Sequence, residues 1–247
     1  MVKVLVTGAA GAVGRPVCRA LLDAGHEVIA LDRVVTVHAT RHVVGNVADP
    51  HLMLEASQGV DAIVHLAAEP NDAPFAELLE PNVVGLYCAF NAARVNHVPR
   101  VVLASTIQVL GHRGQAKRPA SVEDCSPSNH YALTKVWAET MGEMYSRQYG
   151  ITVLSCRIAW MVRNPQEARR MEELGRFELY LSAMDAGRFF LRAVELPLSG
   201  FSVAYVVSRG GKLAFDMEPA KRLLGFEPED NWPTGLGFEW NANSAGP

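Results

Sequence analysis

The 247-residue chain carries only four cysteines, and none is paired at redox or metal-ligand spacing. Cys18, Cys88, Cys125 and Cys156 lie far apart, and the eight histidines are scattered. That pattern excludes a disulfide scaffold and a zinc module; reduced, mostly buried thiols are expected, and no metal site is assigned. Neither sign of charge dominates: 23 basic against 26 acidic residues leave a formal charge of −3. Without a basic field, nucleic acid and anionic membrane surfaces are poor partners. No apolar run reaches the roughly 18 residues that a membrane span needs. Val2 to Val6 reads as a strand at once and leaves no room for a signal peptide, so a cytoplasmic location is expected.

What the chain does have is hydrophobic residues, 49% of the total, enough for one full-sized core. Runs rich in Val, Ile and Leu read as strands at Lys3 to Thr7, His26 to Asp32, Arg41 to Val44, Ala62 to Leu66, Arg100 to Ser105 and Ile151 to Arg157. Between them, Val13 to Ala24, Pro74 to Asn96 and Tyr131 to Tyr149 carry apolar residues at helical spacing. Such alternation predicts an α/β fold, a Rossmann-type doubly wound and mostly parallel sheet. The pattern loosens at Arg163-Asn164-Pro165, then gives a helix over Met184 to Glu195 and a strand over Phe201 to Val207. The expectation is a single domain spanning 1–247 with small substrate-cap elements in 158–247. The final residues, Asn241 to Pro247, are expected to fray.

The first chemical signal is Thr7-Gly8-Ala9-Ala10-Gly11-Ala12-Val13-Gly14, between the first strand and the first helix. Glycines three apart let the backbone turn tightly and approach a pyrophosphate, while the helix N-terminus supplies N–H donors and partial positive charge. Asp32 ends the second strand, where a carboxylate accepts hydrogen bonds from both hydroxyls of an adenosine ribose and repels a 2′-phosphate. NAD is therefore favoured over NADP. The neighbouring Arg33 reads either as a surface charge or as a partner for that phosphate.

The second signal is Tyr131-Ala132-Leu133-Thr134-Lys135. Residues i and i+4 share a helix face, which puts the Lys135 ammonium beside the Tyr131 phenol. A phenol with an ordinary pKa of about 10 must drop by roughly 2 to 3 units to act as a base near pH 7 to 8. An adjacent ammonium and an oxidised nicotinamide ring are the expected causes. Upstream, Val101 to Thr106 is a buried strand ending in the hydroxyls of Ser105 and Thr106, either suited to bond the reacting oxygen or merely to close the strand.

Together these elements resemble the extended branch of the short-chain dehydrogenase/reductase family, from Val2 to about Asn231. The matching pieces are the glycine loop, Asp32, His65-Leu66-Ala67-Ala68, Asn82-Val83-Val84-Gly85, Thr106, Tyr131 with Lys135, and Leu224-Gly225-Phe226-Glu227-Pro228. The resemblance implies that Gly8, Ala10, Gly11, Ala12, Val13 and Gly14 bind the cofactor, that Asn46 and Val47 flank its adenine, and that Leu66, Ala67 and Ala68 line the nicotinamide ribose. It also implies that Asn82 supports that pocket, that Tyr131, Lys135 and Thr106 are catalytic, and that the helices Pro74 to Asn96 and Tyr131 to Tyr149 pair across a two-fold axis as a homodimer. Within the branch the chain is most similar to uronate dehydrogenases, which oxidise the C1 hydroxyl of a hexuronic acid. In that setting Arg170, beside Met171, would hold a substrate carboxylate through a bidentate contact; it reads equally as one solvated charge among several. Pro70, Ser105, Thr106, Ile107, Gln108 and Trp160 complete the expected substrate pocket. Pro70, Ile107, Gln108 and Trp160 stand where those enzymes have small or polar residues, and they make a pocket more apolar than a uronate needs.

Two other functions compete with sugar oxidation. An epimerase or dehydratase acting on nucleotide sugars would use the same cofactor, but Ile107 and Gln108 replace the acid/base pair that dehydratases of the branch place after the catalytic Thr. A non-catalytic NAD-binding sensor would not need Tyr131, Lys135 and Thr106 together.

Overall fold

The computed structural model describes residues 1–111 and 119–238; the tail from Asn241 to Pro247 lies outside them. Seven strands form the central sheet: β1 (Lys3–Thr7), β2 (Glu27–Asp32), β3 (Arg41–Val44), β4 (Ala62–His65), β5 (Arg100–Thr106), β6 (Thr152–Ile158) and β9 (Phe201–Val206). Their order is β3-β2-β1-β4-β5-β6-β9. Every neighbouring pair is parallel. The chain winds outward from β1 to β3, then returns to β4 and winds the other way. The order therefore reverses between β1 and β4, where strand C-termini leave the crevice in which such sheets bind ligands.

Parallel strands are covered on both faces, which is why these read as continuous apolar runs. Successive residues divide between the two sides: Val4, Val6, Val28 and Ala30 pack with Val17, Leu21, Phe189 and Phe190. Leu5, Ile29, Leu31 and Ile63 pack with Met53, Phe90, Ala138 and Tyr145. Helices α1 (Gly14–Asp23) and α7 (Ala183–Glu195) cover the first side; α2 (Pro50–Ala56), α4 (Gly85–Val95) and α5 (His130–Tyr149) cover the second. Truncating a fully buried ring such as Phe189 or Phe190 would cost about 3 to 5 kcal/mol.

Four helices depart from the sequence expectation. The helix expected over Pro74 to Asn96 is broken into α3 (Phe75–Leu78), a π-helical turn (Leu79–Val84) and α4. Pro81 is the cause, since it lacks an N–H and its ring crowds the carbonyl one turn back. Where the pattern loosens at Arg163-Asn164-Pro165, a helix begins: α6 (Pro165–Leu174), capped by the Asn164 side chain accepting from the Glu167 N–H at 2.9 Å. Two short helices, α2 and α8 (Glu218–Leu224), were not expected; α2 is started by Asp49, whose carboxylate accepts from His51 and Leu52.

Beyond β6 the chain adds the two-stranded pair β7 (Trp160–Met161) and β8 (Tyr180–Leu181) with a small cluster of its own. Val162, Ala168, Met171 and Tyr180 are buried there against Trp160 and Trp232. A fully buried carboxylate ties this region down: Asp185 accepts from the Arg188 guanidinium, the Ser208 hydroxyl and the N–H groups of Glu229 and Asp230. With every lone pair used, that charge fixes the tail against the N-terminal end of α7.

Candidate active site

The glycine loop closes over the ends of β1 and β4. Gly8 has φ +71°, and a Cβ there would lie 2.7 Å from the Ala67 nitrogen; a Cβ on Gly14 would lie 2.1 Å from the Gly8 carbonyl. Both positions therefore exclude any side chain. The Thr7 hydroxyl joins the two strand ends, bonding the His65 imidazole at 2.9 Å and accepting from the Ala67 N–H at 3.4 Å. Burial, reinforced by Lys135, pushes the His65 pKa down to about 3, so the ring is neutral.

Helix α1 begins with no side-chain cap and no acidic residue in its first turn. Its N–H groups and partial positive charge are left for an external anion. The half-buried Asp32 accepts from the Ala10 N–H through Oδ2 at 3.0 Å, which leaves Oδ1 for a ribose. Arg33 is exposed. Asn46 folds onto its own turn, accepting from the Ala48 N–H at 3.0 Å, and Val47 is buried against Gly85. Leu66, Ala67 and Ala68 are half-buried at the end of β4. Asn82 is buried and fully engaged: its Oδ1 accepts from the Glu69 N–H, and its Nδ2 donates to the Glu69 carbonyl and to Thr134 Oγ1. The residues fit a dinucleotide, because a capless helix start, glycines without room for Cβ and a free carboxylate oxygen coincide at the switch point of the sheet.

The other half of the site lies at the end of β5. Asn129 caps α5 by accepting from the Ala132 N–H at 2.7 Å, which starts the helix one residue before Tyr131. Lys135 sits one turn on, its Nζ 5.7 Å from the Tyr131 ring centroid. Tyr131 and Lys135 are both buried, and Thr106, at the end of β5, favours ionisation of the Tyr131 phenol. The electrostatics differ from the sequence expectation. Burial pushes the Tyr131 phenol up to about 12; Thr106 works against that, and the Glu69 carboxylate adds to it. Burial brings Lys135 down to about 8. Among the described residues no carboxylate pairs with the Lys135 ammonium, and that buried donor fits ribose hydroxyls.

One expected substrate residue is corrected. Ser105 donates to Glu139 Oε1 at 2.6 Å in a buried network and is not available to substrate. Adjacent strand residues point to opposite faces, so Ser105 and Thr106 cannot serve one site. Ile107 is half-buried; Gln108 is exposed and accepts from Asn129 Nδ2 at 3.0 Å, linking the loop after β5 to the cap of α5. Pro70 is exposed beside Glu69. Trp160 is held against α6 by Glu167, to which its indole N–H donates at 3.4 Å. Arg170 is exposed on α6, while its neighbour Met171 is the buried member of the pair. Glu69 and His65 were not singled out from sequence, although His65 opens the matched His65-Leu66-Ala67-Ala68 motif and Glu69 follows it. A cleft of about 530 Å³ lies elsewhere, between α5, β9 and α8; it is lined by Glu139, Arg157 and Phe201 and by none of Tyr131, Lys135 or Thr106.

The chain is similar to several known proteins along most of its length. L-arabinose 1-dehydrogenase (NAD(P)(+)) of Haloferax volcanii is 31% identical over 95% of this chain and 99% of its own. Uronate dehydrogenase of Pseudomonas syringae pv. tomato is 30% identical over 93% of this chain and 82% of its own. Among solved structures, a mutant of uronate dehydrogenase from Agrobacterium tumefaciens complexed with NAD superposes with a TM-score of 0.80, at 26% identity, over 94% of this chain and 86% of that one. The model of the NAD dependent epimerase/dehydratase family matches residues 4–169, from β1 into α6, a stretch that contains the glycine loop, Tyr131 and Lys135. The chain belongs to the NAD dependent epimerase/dehydratase family.

Proposed function

We propose that the protein is an NAD-dependent dehydrogenase of the extended short-chain dehydrogenase/reductase branch that oxidises a hydroxyl of a free sugar or sugar acid. The observation that carries this reading is the buried Tyr131 one helical turn before the buried Lys135, which no carboxylate pairs among the described residues, at the same end of the sheet as an uncapped glycine loop. Relatives named as arabinose and uronate dehydrogenases support the substrate class. When bound, NAD supplies the hydride acceptor and a positively charged ring. The glycine loop and the start of α1 hold its diphosphate, Asp32 its adenosine ribose, and Lys135 the hydroxyls of the other ribose. Tyr131 accepts the proton of the sugar hydroxyl while Thr106 orients that oxygen. The protein alone holds the phenol near 12. Reaching the ionised form near pH 8 costs about 5 kcal/mol, at about 1.4 kcal/mol for each tenfold. Positive charge at the reacting centre must offset that cost.

The cap elements of 158–247 are proposed to close over the sugar, with Trp160 setting the pocket's size. The homodimer is proposed to form through α4 and α5. Tyr87, Leu133 and Trp137 are 51 to 54% exposed on that pair of helices, a density of apolar surface that points to a partner. Buried thiols at Cys18, Cys88 and Cys156 suit a reducing compartment such as the cytoplasm. The decisive experiment is reduction of NAD by a panel of free aldoses, uronates and nucleotide-linked sugars. Turnover of free sugars is expected, and turnover confined to nucleotide-linked sugars would overturn the reading.

A further inference from the structure

Residues 66–69, which follow β4, join the two halves of the site. Near its start this segment is pinned to the glycine loop: the Thr7 hydroxyl accepts from the Ala67 N–H at 3.4 Å, and a Cβ on Gly8 would lie 2.7 Å from the same nitrogen. At its end it is pinned to α5. The Glu69 N–H donates to Asn82 Oδ1 at 2.7 Å, while Asn82 Nδ2 donates to the Glu69 carbonyl and to Thr134 Oγ1, both at 3.1 Å. Thr134 in turn donates to the Tyr131 carbonyl at 2.7 Å. One hydroxyl thus accepts from the anchor of the segment and donates to the turn that carries Tyr131 and Lys135. Asn82 belongs to the π-helical turn Leu79–Val84, an irregularity of the kind that re-aims side chains at functional sites.

Asn82 and Thr134 are only 4% and 3% exposed. An apolar pair would fill that space without the cost of desolvating an amide and a hydroxyl. What a satisfied buried polar network adds is a single fixed arrangement. Fixed spacing is worth much at a reacting centre, where a displacement of about 1 Å costs on the order of 10²-fold in rate. We propose that Thr134 is a positioning residue: through Asn82, its hydroxyl sets the spacing between the glycine loop and the turn of α5 that bears Tyr131. This rests on the dehydrogenase reading above, because the spacing matters for rate when the loop holds the hydride acceptor and the helix the proton acceptor.

The test compares T134V and T134S with the wild type. Valine keeps the branched Cβ and removes the hydroxyl; the Tyr131 carbonyl retains its helical N–H partner, and Asn82 retains Glu69. Serine restores the hydroxyl, and thermal melting confirms that each variant is folded. Hydrogen exchange of the Glu69 amide, followed by NMR in the free protein, reads the connection without turnover: exchange is expected to be about tenfold faster in T134V and to return toward the wild-type rate in T134S. Kinetics on the panel of sugars with saturating NAD should show kcat about tenfold lower in T134V for each NAD site counted by calorimetry, with NAD affinity nearly unchanged and most of the rate recovered in T134S. A merely structural role would lower the number of NAD sites and leave kcat for each of them unmoved. Glu69 exchange equal to that of wild type in T134V, or faster exchange with an unchanged kcat for each site, overturns the positioning role while turnover of sugars continues. No reduction of NAD by the wild type with any sugar of the panel overturns the dehydrogenase reading itself, and this proposal with it.

Discussion

Glu139 lies one helical turn beyond Lys135 and two beyond Tyr131, so the three share a face of α5. Its carboxylate accepts from the Arg157 guanidinium through two bonds, at 3.0 and 2.9 Å, and from the Ser105 hydroxyl. Arg157 spends its remaining donors on the Asp124 carbonyl and the Tyr205 hydroxyl. The side chains of the pair are only 3% and 11% exposed, so the geometry is that of a buried ion pair. Removing one partner of such a pair costs about 3 to 5 kcal/mol, because the other charge is left without a counter-ion. Glu139→Ala is therefore expected to lower unfolding stability by that amount in urea denaturation. Replacing both partners by leucine should recover most of the loss, since the desolvation penalty disappears along with the attraction. Activity should fall as well, because Ser105 precedes Thr106 and its bond to Glu139 holds β5 in register with the helix carrying Tyr131. The cleft lined by Glu139 and Arg157 offers the opposing outcome. If water reaches the pair through it, Glu139→Ala will cost under about 1 kcal/mol, as exposed pairs do, and the buried-pair argument fails.

Three further outcomes follow from the site. Titration calorimetry should give tighter binding of NAD than of NADP, and Asp32→Ala should narrow the gap; equal affinities in the wild type would mean that Arg33 governs the ribose pocket. Tyr131→Phe should lower turnover about 10² to 10⁴-fold with NAD affinity nearly unchanged, and a loss below about tenfold would remove Tyr131 as the base. His65 has its pKa pushed down to about 3 in the fold against an ordinary 6.5, so the unfolded chain binds a proton that the native state refuses. Its contribution is fully present above pH 6.5 and lost as pH falls, about 3 kcal/mol by pH 4; His65→Gln should flatten that acid limb in thermal melts, and an unchanged slope would show that other groups set it.

How far the sequence reaches depends on whether a feature is local. The order of strands and helices, the glycine loop and Asp32 at the end of β2 all rest on patterns within a few residues, and the structure places them as expected. The break at Pro81 was local too; the long apolar periodicity of Pro74 to Asn96 masked it. The start of α6 at Asn164-Pro165 has a capping signal that charge-rich composition obscured. Ser105 is different in kind. Two hydroxyls side by side on a strand cannot be told apart by sequence, and what decides between them is Glu139, on a helix reached only after the chain has left the sheet and returned. Glu69 likewise gains meaning only when Asn82 and Thr134 bring its loop to the Tyr131 turn.

The electrostatics of the catalytic pair show why motif reading misjudges charge. A tyrosine and a lysine one turn apart lead one to expect a phenol made acidic by its neighbour, an argument that assumes both groups keep their hydration. In the fold both are buried, and burial penalises whichever form is charged: it raises the phenol to about 12 and lowers the ammonium to about 8. Near pH 8 the protein alone therefore favours a neutral Tyr131, and Glu69 reinforces that preference. Thr106 pulls the phenol the other way. A base held in its protonated form until positive charge arrives is suited to a reaction in which hydroxyl deprotonation and hydride loss must coincide. It also explains why the unpaired Lys135, rather than a salt-bridged one, is the useful neighbour: an ammonium already neutralised by a carboxylate would have nothing left to offer the phenolate or a ribose hydroxyl.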